Sequence, residues 1–298
     1  MSIFRSAVSL AAIAAMTGAA HAADIAYEPA PIETVPYAEG GLPAVSGVNG
    51  KLAISAGAFS LDGPDDFDDL DVDGSIGLLN GALSIPLGHS FGLQVDGLLG
   101  TLDGDMVAGV GGHLFWRDPA TGLFGVYGDY VHYDAGGFGD VNTHRFGLEG
   151  ELYLGRFTIS GVAGMEGGDI DESFFDMIDL ALYPTDDIKL YVGHRYAGDI
   201  HSAALGAEWQ LPITALSGLS VFGEGRLGED FAAGWGGIRV YFGESKSLIR
   251  RHREDDPVER MPEITSLGGL KGLGNVNCQE LFDDQLKLPE SCFDEFPG

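Results

Sequence analysis

Six aspartates fall within the ten residues "DDFDDLDVDG", Asp65 to Gly74. Within this stretch Asp69, Asp71 and Asp73, followed by Gly74, match the opening of a calcium loop. There, alternate oxygen ligands converge on a hard cation and the glycine allows the sharp turn. Ile76 suits the apolar position eight of such a loop. The twelfth position, which needs a bidentate Glu, is Asn80. An EF-hand is therefore excluded. Two readings stay open: a weak Ca²⁺ site on Asp69, Asp71 and Asp73, or a soluble acidic loop. No other cofactor is expected.

Nucleophilic and acid–base chemistry would need histidine beside a hydroxyl and a carboxylate. His132, His144, His194 and His201 share one face of their segments, with no serine and aspartate partner visible from sequence. Neither G-x-S-x-G nor H-E-x-x-H occurs. The expectation is a protein that is not an enzyme, with rim histidines touching phosphate headgroups or sitting in an interface. The 16 Lys+Arg against 45 Asp+Glu, a formal charge of −29, exclude a nucleic-acid binder, because phosphate contact needs a basic surface.

The elements that would position these residues begin after a secretory signal. Arg5 supplies a positive start, Ala7 to Met16 an apolar run too short to span a bilayer, and Ala20-His21-Ala22 a cleavage site. Residues 1–22 are read as signal peptide and 23–50 as a flexible, Pro/Gly-rich lead-in. The two cysteines, Cys278 and Cys292, are expected to pair in an oxidising compartment.

From residue 51 to 242 the sequence alternates in about twelve segments: 51–61, 74–86, 90–101, 105–117, 122–133, 142–154, 156–166, 173–183, 188–197, 201–211, 216–227 and 231–242. In "HRFGLEGELYL", Phe146, Leu148, Leu152 and Leu154 oppose Arg145, Glu149 and Glu151. Period two with one oily face describes a strand between two media. The segments are long enough to cross a bilayer when tilted. Aromatics gather toward their ends: Phe91, Phe115, Trp116, Tyr130, Tyr133, Tyr153, Phe157, Tyr183, Tyr196, Trp209, Phe231, Tyr241 and Phe242. They read as interfacial girdles. The odd-to-even links are acidic and the even-to-odd links shorter and less so. Glycine, 47 of 298 residues against a usual share of about 7%, fits a curved wall around a crowded lumen.

The sequence resembles bacterial outer-membrane β-barrel proteins of the porin-like or small-barrel kind, over residues 1–22 and roughly 51–242. The most specific piece is "WGGIRVYF", similar to the terminal-strand assembly signal of that class, with Gly237, Val240 and Phe242 in its positions. A departure is that 56 residues follow Phe242. The resemblance implies a single closed antiparallel barrel in the outer membrane, lipid and lipopolysaccharide as surroundings, the barrel-assembly machinery as partner, and residues 243–298 as a periplasmic tail ending in the disulfide-closed loop.

Strand parity then gives the charges of the lumen: Asp96, Asp129, Arg145, Glu149, Glu151, Asp179, Lys189, Arg195, Glu208, Glu224, Arg226 and Arg239, beside Gln94, Tyr191 and Gln210. They form an internal ion-pair network or line a narrow, mildly cation-preferring pore. The run Arg250-Arg251-His252-Arg253 reads as a solvated linker or as a contact for anionic headgroups. The expected function is structural or that of a narrow passive channel. The alternatives are a barrel enzyme acting on lipid and a soluble periplasmic β-barrel that binds an apolar ligand.

Overall fold

A computed structural model of the chain describes residues 41–61, 72–134, 140–170, 172–198, 200–213, 217–228 and 231–257. Twelve strands follow one another: β1 (Asn49–Leu61), β2 (Val72–Leu87), β3 (Phe91–Leu102), β4 (Asp105–Asp118), β5 (Gly122–Asp134), β6 (Asp140–Leu154), β7 (Phe157–Gly168), β8 (Ser173–Thr185), β9 (Ile188–Ala197), β10 (Ile200–Gln210), β11 (Leu219–Gly228) and β12 (Phe231–Phe242). A seven-residue helix, α1 (Leu248–Glu254), comes after them.

Each strand pairs antiparallel with the next, and β12 closes on β1. Closure leaves no open edge, the condition a sheet must meet to satisfy its backbone inside a bilayer. The seam runs from Gly50↔Phe242 to Leu61↔Phe231. At its middle Gly237 faces Ser55, and a Cβ there would overlap the Ile54 carbonyl. That close approach accounts for a glycine at this position of the terminal strand. The tight β3–β4 turn takes Asp103 and Gly104 at φ 50° and 95°, the left-handed pair that Asp-Gly provides in a two-residue hairpin.

The alternation sends apolar side chains outward. Leu52, Ile54, Leu99, Val110, Phe124, Phe146, Leu148, Ile178, Val192 and Ile238 are exposed, while their strand neighbours are buried or half-buried. The girdle expectation holds for only part of its residues. Phe91, Trp116, Tyr130, Phe157, Trp209 and Phe242 lie outside, but Phe115, Tyr153, Tyr183, Phe231 and Tyr241 are buried inside. Adjacent aromatics such as Phe115-Trp116 and Tyr241-Phe242 must point to opposite faces, so a position near a strand end does not fix the side.

The interior has three storeys. At the end carrying the acidic links, Phe59, Ile76, Leu78, Leu98, Leu102, Val107, Val131, Ile200, Phe231, Ala233 and Trp235 form one apolar cluster. Beside it Tyr127, Val162, Phe175, Met177 and Ala197 form a second. The middle storey is polar and charged. At the end where β1 begins and β12 ends, Ala44 and Val45 tuck inside with Phe115 and Leu123, and α1 packs across the mouth. The stretch read as lead-in to residue 50 thus joins the barrel from Ala44 onward. The basic run is likewise no solvated linker: Arg251 is 1% exposed and belongs to α1. Seven residues cannot make a stable helix alone; tertiary contact with the barrel holds these.

Candidate functional site: the charged lumen

The middle storey is built from inward positions on nearly every strand, and parity places the expected charges there. Asp96, Asp129, Arg145, Glu149, Glu151, Asp179, Arg195, Glu208, Glu224 and Arg226 are all buried, and Lys189 and Arg239 are half-buried. Most are joined in pairs. Arg195 meets Asp179 at 2.7 Å, Arg226 meets Glu224 at 2.6 Å, Arg239 meets Glu208 at 2.6 Å and Arg145 meets Asp129 at 3.1 Å. Tyrosine hydroxyls from the lumen wall complete them: Tyr127 donates to Asp129, Tyr191 to Glu224, and Tyr241 to Glu208 at 2.8 Å. Tyr153 donates to Glu151 at 2.8 Å. A buried pair repays its desolvation only when its other polar atoms are also bonded, and the tyrosine hydroxyls add such bonds at Asp129, Glu224 and Glu208.

Parity alone did not single out His113. It is 1% exposed and stands between two carboxylates, Nε2 2.7 Å from Asp96 and Nδ1 2.9 Å from Glu149. An imidazolium with an N–H on each nitrogen satisfies both acids. The alternation of β4 marks His113 as inward, so the signal was present in the sequence. Lys51 and Arg117, both buried, are two further inward cations beyond the expected set.

Two glycines make room for this network. A Cβ at Gly206 would overlap the Tyr191 ring, and a Cβ at Gly193 would overlap Asp179 and crowd Arg195. The crowded-lumen account of glycine therefore holds at named positions: the missing side chain is the space into which a neighbour's side chain lies.

The terminal end is closed by polar contacts. Lys246 Nζ binds Asp255 at 2.7 Å, Glu254 at 3.1 Å and the Ser46 hydroxyl at 2.6 Å, and Ser46 donates to Asp255. Leu248 and Ile249 donate backbone N–H groups to the β8–β9 turn, at Asp187 and Asp186. Arg251 donates to Gln210 at 2.9 Å and lies over the Tyr241 ring at 5.2 Å. Arg253 donates to the Phe157 carbonyl and to Thr158. His252 sits between the hydroxyls of Tyr183 (2.8 Å) and Tyr241 (2.9 Å). Tyr241 donates to Glu208, so His252 donates from Nε2 and accepts at Nδ1, the pattern of a neutral ring. Burial, with Lys189, Lys51, Arg239 and Arg251 around it, holds its pKa well below the usual histidine value. A chain of hydrogen bonds, Asp256–Ser84–Gln94–Asp96–His113, ties this closure to the middle storey.

On the outer face near the acidic end, His194 bonds Asp176 at 3.0 Å and His201 at 3.0 Å, and His201 stacks on Tyr196 at 4.4 Å. Sequence placed His194 and His201 on the same face but did not join them to Asp176. The three residues sit on three neighbouring strands, and only the registers bring them into contact. Of the calcium-loop residues, Asp73 is exposed in β2 opposite Ser60; Asp69 and Asp71 lie outside the described residues. So do Cys278 and Cys292. In β12, Val240 and Phe242 share the outward parity with Ile238, while Gly237 lies at the seam.

No family model and no curated protein matches the sequence. Solved structures do match in shape. An outer membrane channel from Pseudomonas putida F1 superposes with a TM-score of 0.52 at 11% identity, over 70% of this chain and 98% of that one. KdgM porin gives 0.47 at 9% identity, over 64% and 99%. Outer membrane phospholipase A from Escherichia coli gives 0.43 at 10%, over 70% and 98%. At 11% identity the likeness to the Pseudomonas putida channel is one of fold, the closed antiparallel barrel.

Proposed function

We propose that this chain is an integral protein of the bacterial outer membrane without enzymatic activity, a structural barrel or a narrow passive channel whose lumen is closed in the form described. The observation that carries the reading is the pairing of lumen charges, Asp129–Arg145, Asp179–Arg195, Glu208–Arg239 and Glu224–Arg226, between an apolar storey and a docked helix. The Pseudomonas putida protein of like fold, itself an outer membrane channel, supports the channel half of the proposal. On this reading the termini face the periplasm with the tail, and the acidic end, with any Ca²⁺ held by Asp69, Asp71 and Asp73, faces outward among lipopolysaccharide. Gly237, Val240 and Phe242 would serve the assembly machinery. The test is fractionation followed by bilayer recording. The mature chain should enter the outer membrane, migrate differently on gels when heated, and pass small currents or none. Recovery in the soluble periplasm would refute it.

The competing reading, a barrel enzyme acting on lipid, draws on the Asp176–His194–His201 relay at the outer face. Phospholipid or lipid A hydrolysis by the purified protein, abolished by His194→Ala, would replace the present proposal.

A further inference from the structure

Three side chains meet on the outer face of the barrel, one from each of three neighbouring strands: Asp176 on β8, His194 on β9 and His201 on β10. A carboxylate only accepts, so the 3.0 Å contact with Asp176 places a hydrogen on Nδ1 of His194. Nε2 of the neutral ring then presents a lone pair, 3.0 Å from Nδ1 of His201. A single proton holds these two nitrogens together. Tyr196 stacks on the His201 ring at 4.4 Å and limits its orientation.

Two imidazole nitrogens at this separation also suit one metal ion. With metal–nitrogen bonds of about 2.0–2.1 Å, the 3.0 Å span subtends about 95° at the metal. That is the angle between adjacent ligands of a tetragonal Cu²⁺ site, and Cu²⁺ stands highest among the divalent first-row metals in affinity for such donors. The rings must turn to aim both lone pairs at one point, and their place at the surface permits it: the His194 side chain is 46% exposed and His201 is exposed. The carboxylate behind His194 is the partner a metal-bound histidine usually has, fixing the tautomer and raising the basicity of the other nitrogen. The surroundings attract cations as well, because Asp103, Asp105, Asp134, Asp140 and Asp169 stand at the same end of the barrel. Among the described residues no group of three His, Cys, Asp or Glu side chains is placed to hold a metal. The pair therefore supplies two protein ligands, and water completes the coordination.

We infer that Nε2 of His194 and Nδ1 of His201 form a two-histidine site for a divalent transition-metal ion, Cu²⁺ by its angle, with Asp176 and Tyr196 as positioning residues. The site lies on the outer face and does not depend on whether the lumen conducts.

The test uses the full mature chain, untagged and refolded in detergent, titrated with Cu²⁺ and followed by electron paramagnetic resonance. A saturable tetragonal signal split by two nitrogens is expected. Asp176→Ala, which removes no metal ligand, should weaken binding about tenfold while keeping the two-nitrogen pattern. His194→Ala and His201→Ala should each weaken it at least as much and lose that pattern. His132→Ala with His144→Ala, on the same outer face, should leave both affinity and signal unchanged. Should the alanine variants at 194 or 201 lose the heat-modifiable folded band, the two-nitrogen signal of the wild type and its survival in the 132/144 double variant still decide. Absence of a two-nitrogen signal from the wild type, or the same signal in folded His194→Ala or His201→Ala, would overturn the inference.

Discussion

The two ends of the lumen are shut by different means. At the acidic end the stopper is the wall itself: Phe59, Leu78, Leu98, Leu102 and Trp235 are strand residues, buried against one another. At the terminal end the stopper is a separate segment held by ion pairs and hydrogen bonds: Lys246 with Asp255, Arg251 with Gln210, His252 with two tyrosines. The first closure cannot leave without unfolding strands. The second is held by side-chain contacts to β7, β8, β10 and β12 rather than by the strand ladder, so it should open without breaking that ladder. Local opening follows such differences in buried apolar contact.

The largest effects should come from the strand-borne storeys. Trp235→Ala leaves a cavity in the apolar cluster and should cost about 3–5 kcal/mol in denaturant unfolding of the detergent-embedded barrel. Arg195→Ala strands the buried Asp179 without its counter-charge and should cost a similar ~3–5 kcal/mol, whereas replacing both partners by leucine should approach neutrality. If the double change costs as much as the single one, the pair is not the isolated unit described here. Gly206→Ala should cost less, about 1–3 kcal/mol, because Tyr191 must move off the wall and away from Glu224.

The smallest effects on global stability should come from the helix. Lys246→Ala with Arg251→Ala should raise amide hydrogen exchange across Leu248–Glu254 while leaving exchange in β1–β12 unchanged. Loss of strand protection in that variant would merge the two closures into one. Acid should act in the same place. His252 is neutral when docked, with its pKa depressed, so its contribution is present above the free-histidine pKa of about 6.5 and declines as pH falls below it. Exchange in α1, corrected for its intrinsic pH dependence, should therefore rise between neutral pH and about pH 5, and His252→Gln should flatten that rise.

Much of this was legible in the sequence. All twelve strands were readable from period two and the turn residues; of the charges assigned to the lumen by parity, Lys189 and Arg239 are half-buried and the others are buried. The apolar storey was readable by the same rule, since Leu98 and Leu102 share parity with Gln94 and Asp96. Its residues carry no charge to mark the inward face, so alternation alone does not show that they meet in one cluster. The docked helix was not readable: Arg250 to Arg253 have the composition of a solvated segment, and only their partners in the barrel mouth bury Arg251 and half-bury His252 and Arg253. The Asp176–His194–His201 contact needed the registers of β8, β9 and β10, which alternation within single strands does not contain.

The central claim is that the lumen is closed from both sides of a paired charged belt. Single-channel recording of the full mature chain in planar bilayers tests it most directly. The account predicts small, cation-preferring currents or none, with conductance appearing only when inward residues of the apolar storey such as Phe59 and Trp235 are made small and the helix contacts at Lys246 and Arg251 are removed together. A large, stable, anion-preferring current through the unmodified protein would contradict it.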